Sequence, residues 1–212
     1  MSSLDPFASA LTGVDELAEL YEPAEERSWR KDIGVLDDMA RRLIAAAPIV
    51  FVASADADGR CDVTPRGGQP GFVTVLDDRR LAIPDATGNR RLDALRNVVA
   101  TGRAGLIFLV PGRDQTLRVN GRACVSADPE LLGLLTPVGK PPRAAIVVEP
   151  DEVYTHCPKA FVRSRLWDPA TWPAAADLPS PAEVALAHLR NPELTLADVE
   201  RQQRESLLHR LA

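Results

Sequence analysis

Two adjacent arginines, Arg90 and Arg91, stand where a strand-like run ends and a helical pattern begins, in the stretch Ile83-Pro84-Asp85-Ala86-Thr87-Gly88-Asn89-Arg90-Arg91-Leu92-Asp93. Asn89 has the side chain of an N-cap, an oxygen able to accept a free N–H of the first turn. That cap predicts Arg90 and Arg91 at the first two helical positions, where cations oppose the helix dipole. A bound anion resolves the conflict, since a phosphate would take the free N–H groups and both guanidinium forks together. A plainer resolution stands beside it: two solvated arginines, with Asp93 neutralising one of them.

Other chemistry is sparse. The three cysteines, Cys61, Cys124 and Cys157, are far apart and form no CxxC, which argues against a disulfide framework or a zinc site. They are expected to be buried as small hydrophobes. His156 lies at a strand end and is read as structural; His188 and His209 have no partner by spacing. There is no nucleophile–His–acid arrangement, no Walker loop and no metal-ligand spacing, so no catalytic residue is identified and no metal is expected.

Charge is unevenly placed. The 212-residue chain carries a net −5, against a general nucleic-acid binder. Residues 60–122 hold eleven arginines against six aspartates and no Lys or Glu, a net of +5, whereas residues 1–40 hold ten acids and three bases. The middle of the chain suits a small anion. Because Arg outnumbers Lys 22 to 3, a lone arginine carries little information. No apolar run reaches membrane-spanning length, and the first twenty residues lack the basic-then-apolar order of a secretory leader. A soluble protein of the reducing cytoplasm is the expectation.

The elements that must position these residues follow from periodicity. Residues 1–32 read as an acidic arm, with a short helix over 15–21. Residues 33–47 read as an amphipathic helix, with Ile33, Leu36, Met39, Ala40, Leu43 and Ile44 on one stripe and Pro48 stopping it. The period then changes to that of strands: 49–54, a turn at 56–59, 60–64, a Gly/Pro loop over 65–71, 72–76, 79–83, 104–110, 116–127 and 144–154. In the long strand, Leu117, Val119, Gly121, Ala123 and Val125 share the face assigned to the core. Arg118, Asn120, Arg122 and Cys124 share the other, with Arg122 expected in water and Arg118 open between water and a polar site. Gly102 ends the helix that follows Asn89, and Asp128 caps a short helix over 129–135. A short helix starting at 157–160 carries Arg163 and Arg165; a proline-rich connector and helices over 182–189 and 196–211 close the chain. About seven strands with short turns and few crossover helices predict a mostly β, α+β fold: an antiparallel barrel with peripheral helices.

With the motifs in view, residues 33–170 resemble the pyridoxamine 5′-phosphate oxidase superfamily of split β-barrel flavoproteins, and within it a bacterial subgroup of FMN-dependent proteins. The motifs are Asp62-Val63-Thr64-Pro65-Arg66-Gly67, Pro70-Gly71-Phe72-Val73, Leu81-Ala82-Ile83-Pro84-Asp85, Gly88 to Asp93, Leu117-Arg118-Val119-Asn120-Gly121, Gly139-Lys140-Pro141-Pro142 and His156-Cys157-Pro158-Lys159-Ala160. The resemblance implies a split-barrel domain over 33–170, flanked by the 1–32 arm and a 171–212 tail. It also implies a homodimer with FMN between the subunits and a small-molecule substrate, with neither nucleic acid nor membrane as partner. By that likeness Asn89, Arg90 and Arg91 hold the phosphate, and the backbone of Ile83 and Pro84 lies along the flavin ring. Arg66 makes a second anion contact from the Gly-rich loop, Arg118 and Asn120 come from the long strand, and Lys159 and Arg163 close the site. Gly68 stands where the subgroup usually carries an acid, which bears on the partner of Arg66.

Two functions remain open on sequence grounds. One is an FMN-dependent oxidoreductase; the C-terminal substrate-binding pattern of true pyridoxamine phosphate oxidation is not evident. The other is a binding protein that holds FMN, a deazaflavin or haem without turnover, haem needing His156 as its axial ligand.

Overall fold

The computed structural model describes residues 5–86 and 91–210, and it divides the chain into two units, Met1–Asp32 and Ile33–Ala212. The first unit holds two short helices, α1 (Asp15–Leu20) and α2 (Glu26–Arg30). None of its described residues is buried, and Phe7, Val14, Tyr21 and Trp29 are exposed. Glu16 accepts the N–H groups of Gly13 and Thr12, which holds its carboxyl below the usual carboxylate range.

In the second unit the first helix, α3 (Asp38–Ala46), begins five residues later than periodicity predicts. Gly34 adopts a left-handed conformation, and the Asp37 carboxylate accepts the Ala40 N–H at 2.8 Å, so the chain is capped before it can wind. Leu36, Ala40 and Ile44 are buried as the stripe requires, but Ile33 and Met39 are exposed.

Seven strands follow: β1 (Ile49–Ala55), β2 (Cys61–Gly67), β3 (Thr74–Val75), β4 (Leu81–Pro84), β5 (Arg103–Leu109), β6 (Leu117–Ser126) and β7 (Ala145–Thr155). They form one antiparallel sheet in the order β2-β1-β5-β6-β7-β4-β3, curled into the expected split barrel. The inner face carries Val50, Val52, Leu106, Phe108, Val119 and Val148, closed by Leu36, Ile44 and Phe72. Two boundaries depart from the pattern. β2 runs on through Pro65, Arg66 and Gly67, which were expected in a loop; as an edge strand it tolerates a proline that cannot donate to a ladder. β3 shrinks to two residues because Phe72 and Val73 leave the sheet to fill the core.

The alternation read in β6 is present: Leu117, Val119, Gly121 and Ala123 are buried, Arg118 and Asn120 half-buried, and Arg122 and Cys124 exposed. All three cysteines are exposed, contrary to the expectation. The period-2 rule gives the reason for two of them, since Cys61 and Cys124 occupy outward positions of β2 and β6. Between Asn120 and Gly121 the β6–β7 register slips: Asn120 faces Glu152 and Gly121 faces Pro150, with Asp151 the extra residue of a bulge.

Helix α4 (Asp93–Thr101) ends at Gly102, whose left-handed conformation suits glycine. Its buried Asn97 donates through Nδ2 to Ser54 Oγ at 3.1 Å and to Asp62 Oδ2 at 2.7 Å, tying the helix to β1 and β2. Helix α5 (Pro129–Gly133) is capped by Asp128, and α6 (Lys159–Ser164) follows β7. Helices α7 (Pro181–Leu189) and α8 (Leu196–Arg210) form the tail, α7 opening on a Ser180/Glu183 capping box.

A methyl group at Gly121 would fall on the Glu149 carbonyl and within 2.8 Å of Pro150 Cα. Gly121→Ala is therefore expected to cost about 1–3 kcal/mol, read as a lower urea midpoint at unchanged slope. At the start of α8, hydrogen bonds from the Thr195 side chain and Arg201, then from the Thr195 backbone, lower the Asp198 pKa to about 2. Because the folded value lies below the ordinary one, this support for the helix start is present above about pH 4 and is lost as pH falls towards 2. A carboxyl NMR titration should place the Asp198 midpoint well below the ordinary aspartate value of about 4.

Candidate functional site

Arg66 projects inward from the edge strand β2, opposite Val50 in the register. Its Nη1 donates to Asp85 Oδ1 at 3.1 Å, the two side chains being 19% and 23% exposed. Asp85 follows β4 directly, and its N–H is held by the Ala144 carbonyl at 2.8 Å. The Arg66 Nε is fully buried and has no hydrogen-bond partner among the described residues. A buried N–H left without an acceptor is costly, so this donor invites one from a ligand. Asp85 as the carboxylate partner was not foreseen; an acid five and six residues before Arg90 and Arg91 gave no sign that it would reach Arg66. The missing side chain at Gly68 also finds its explanation. A Cβ there would lie 2.8 Å from Phe72 Cβ and 3.0 Å from Val138 Cγ2, so core side chains occupy the space that an acid would need.

Ile83 and Pro84 are buried in β4. The β3–β4 ladder ends at the Thr74–Ala82 pair, so the next stretch of the β4 backbone edge lies beyond it. Thr87, Gly88, Asn89 and Arg90 lie outside the described residues. The helix itself starts at Asp93, with Leu92 in the left-handed region as its cap residue and no side-chain cap bond. Arg91 is therefore not at a second helical position: it precedes the helix, is 73% exposed and pairs with Asp93 at 2.9 Å. For Arg91 the geometry is that of the solvated arginine answered by a local carboxylate.

Arg118 and Asn120 lie on the outer face of β6, the face opposite Arg66. Arg118 Nη1 donates to the Tyr154 hydroxyl at 2.9 Å, and its guanidinium carbon stands 5.8 Å from the Tyr154 ring centroid. Asn120 Nδ2 donates to Glu152 Oε2 at 2.7 Å. Both partners are cross-strand neighbours on β7, visible only once the register is known. Lys159 opens α6 and Arg163 lies in its last turn, one helical turn apart and both exposed. The entry to α6 is tied to the start of β6 by the His156 N–H to the Thr116 carbonyl, 3.0 Å. Trp167 stacks on Phe161 and donates to the Arg113 carbonyl at 3.0 Å, anchoring the connector. Among the described residues no group of His, Cys, Asp and Glu could hold a metal ion.

The curled antiparallel sheet defines a split-barrel protein. Residues 36–157, more than half of the chain, match the family described as Pyridoxamine 5′-phosphate oxidase, and the chain belongs to that family. No curated protein matches it. Among solved structures it is similar to HupZ of Group A Streptococcus, with 16% identity over 56% of this chain and 92% of that one and a TM-score of 0.44. A protein related to general stress protein 26, of the pyridoxinephosphate oxidase family from Clostridium acetobutylicum, is 14% identical over 56% and 85% with a TM-score of 0.43. The FAD-binding protein of Mycobacterium smegmatis is 14% identical over 58% and 97% with a TM-score of 0.38. These likenesses carry no argument about function.

Removing one member of the Arg66–Asp85 pair leaves the other charge partly buried. Arg66→Met is expected to lower stability by roughly 1–3 kcal/mol. The loss should persist in high salt, because a pair so enclosed is weakly screened; denaturant melts at two ionic strengths read both effects.

Proposed function

We propose that the chain is an FMN-binding flavoprotein that works as an FMN-dependent oxidoreductase on a small molecule. The single observation that carries this reading is Arg66: an inward guanidinium on a strand edge, with one nitrogen held by Asp85 and a buried Nε–H awaiting an acceptor. Asp85 leads directly into the residues 87–90 that hold Asn89 and Arg90. An anionic group taken by the Arg66 guanidinium suits a dianionic phosphate, and Asn89, Arg90 and Arg91 are the nearby residues in sequence assigned to the same group. The Ile83 and Pro84 backbone edge is available to a ring, and Arg118, Asn120, Lys159 and Arg163 are the remaining polar groups assigned to the cofactor. When bound, FMN would supply the electron chemistry; the protein would orient it and tune it.

This reading includes a homodimer with the flavin between subunits. Arg66 and Arg118 lie on opposite faces of one sheet, so a single ligand meets both most simply when each comes from a different copy. The outer face also supports pairing. Val63 is 68% and Ile107 37% exposed, and the register places Ala53, Phe51 and Pro65 beside them, an apolar area better covered by a partner than by water. Three exposed, unlinked cysteines fit a reducing cytoplasm.

The test is the purified protein's spectrum. A bound flavin bleached rapidly by NADH or NADPH is the expected result. A flavin that resists every donor would move the reading to a non-catalytic carrier, a haem or deazaflavin spectrum to another cofactor, and no uptake of added FMN would end the flavin reading. Arg90→Ala combined with Arg91→Ala should weaken FMN, at roughly 1.5–3 kcal/mol for each charge-assisted bond lost. Titration by flavin fluorescence measures it, and equal affinity would place the phosphate elsewhere.

A further inference from the structure

We infer that Tyr154 is a positioning residue for Arg118, holding an un-neutralised guanidinium against the outer face of the sheet. On the flavin reading above, on which this role rests, that cation sets the redox poise of the cofactor. The outer side of β5 and β6 carries three arginines: Arg103, Arg118 and Arg122. Two are answered by carboxylates: Arg103 pairs with Asp151, and Arg122 with Glu149 at 2.9 Å. Arg118 has no carboxylate partner among the described residues. The nearest acid in the register, Glu152, faces Asn120 and is engaged with it at 2.7 Å. What holds Arg118 is a neutral phenol, its oxygen 2.9 Å from Nη1 and its ring centroid 5.8 Å from the guanidinium carbon.

That choice of partner has an electrostatic consequence. A carboxylate would fix the guanidinium and cancel its charge, whereas a phenol fixes it and leaves the field intact. Without an anchor, a long arginine on an open sheet face samples many rotamers, and its charge is averaged into solvent. Tyr154 is itself braced: its ring packs against the His156 ring, centroids 5.4 Å apart, and the His156 N–H is bound to the Thr116 carbonyl. The anchor thus runs from the start of β6, across β7, and back to Arg118. A fixed cation beside a flavin favours the electron-rich reduced form over the oxidised one.

The test uses full-length protein, as wild type, Tyr154→Phe, Arg118→Met and the double variant. In FMN-loaded protein, Tyr154→Phe should cost about tenfold in the preference for reduced over oxidised FMN, which is about 30 mV downward in the two-electron midpoint. In the Arg118→Met background the same change should shift nothing further, because an effect exerted through Arg118 vanishes with it. An unchanged midpoint in Tyr154→Phe, or an equal shift in both backgrounds, overturns the role. Ligand-free protein gives a second readout: the heteronuclear NOE of the Arg118 Nε–H should fall in Tyr154→Phe, and an unchanged value overturns the tether. If wild type takes up no FMN, the flavin reading fails, and the NOE alone decides whether Tyr154 holds Arg118.

Discussion

An arginine on one edge of the sheet bonds to an aspartate just past the strand next to the other edge, and this contact requires the sheet to curl. Four strands separate β2 from β4 in the sheet order, so a flat sheet would hold them about 24 Å apart at the usual strand spacing. Arg66 and Asp85 meet at 3.1 Å. The curl also encloses the apolar inner face and turns the polar inward residues of β2 towards the segment that follows β4. A guanidinium at such a seam is desolvated, so each of its N–H groups needs a partner, and the unanswered Nε becomes informative in a way that a surface arginine never is.

The two faces of the sheet divide the chemistry. Inward positions of β2 are polar, with Asp62 bonded to Asn97 of α4 and Arg66 bonded to Asp85, whereas the corresponding positions of the central strands are apolar core. Outward positions run from an apolar area on β1, β2 and β5 to a charged stripe on β6 and β7. The exposed apolar members, Val63 and Ile107, are costly to hydrate, which is why the proposed function includes a second copy over this face. The stripe is not uniform either: carboxylates neutralise the arginines at one end, and a phenol holds the arginine at the other.

The helix that follows the basic segment begins later than its local sequence suggests. An asparagine followed by two arginines reads as a cap with cations at the dipole's positive end. In the fold the helix starts at Asp93, after a left-handed Leu92, which puts Arg91 outside the helix and gives it a carboxylate partner.

Periodicity alone located most of the elements: the alternation of β6, the stop at Gly102, the cap at Asp128 and the apolar run of β5 were all legible, because each depends on neighbours within a few residues. The sequence motifs named the family for the same reason. Boundaries were less secure where distant groups intervened. Pro65 reads locally as a loop residue, and only its place on a sheet edge lets it continue a strand; Met39 fits the buried stripe of α3, yet the fold leaves it exposed. Tertiary structure alone decided who meets whom. Nothing near Arg66 in the chain points to Asp85, and nothing near Arg118 points to Tyr154, because sheet curl joins the first pair across 19 positions and strand register joins the second across 36. Side-chain types and local periods belong to the sequence; partners across a curled sheet belong to the fold, since they are set by which backbone ladders close and not by distance along the chain.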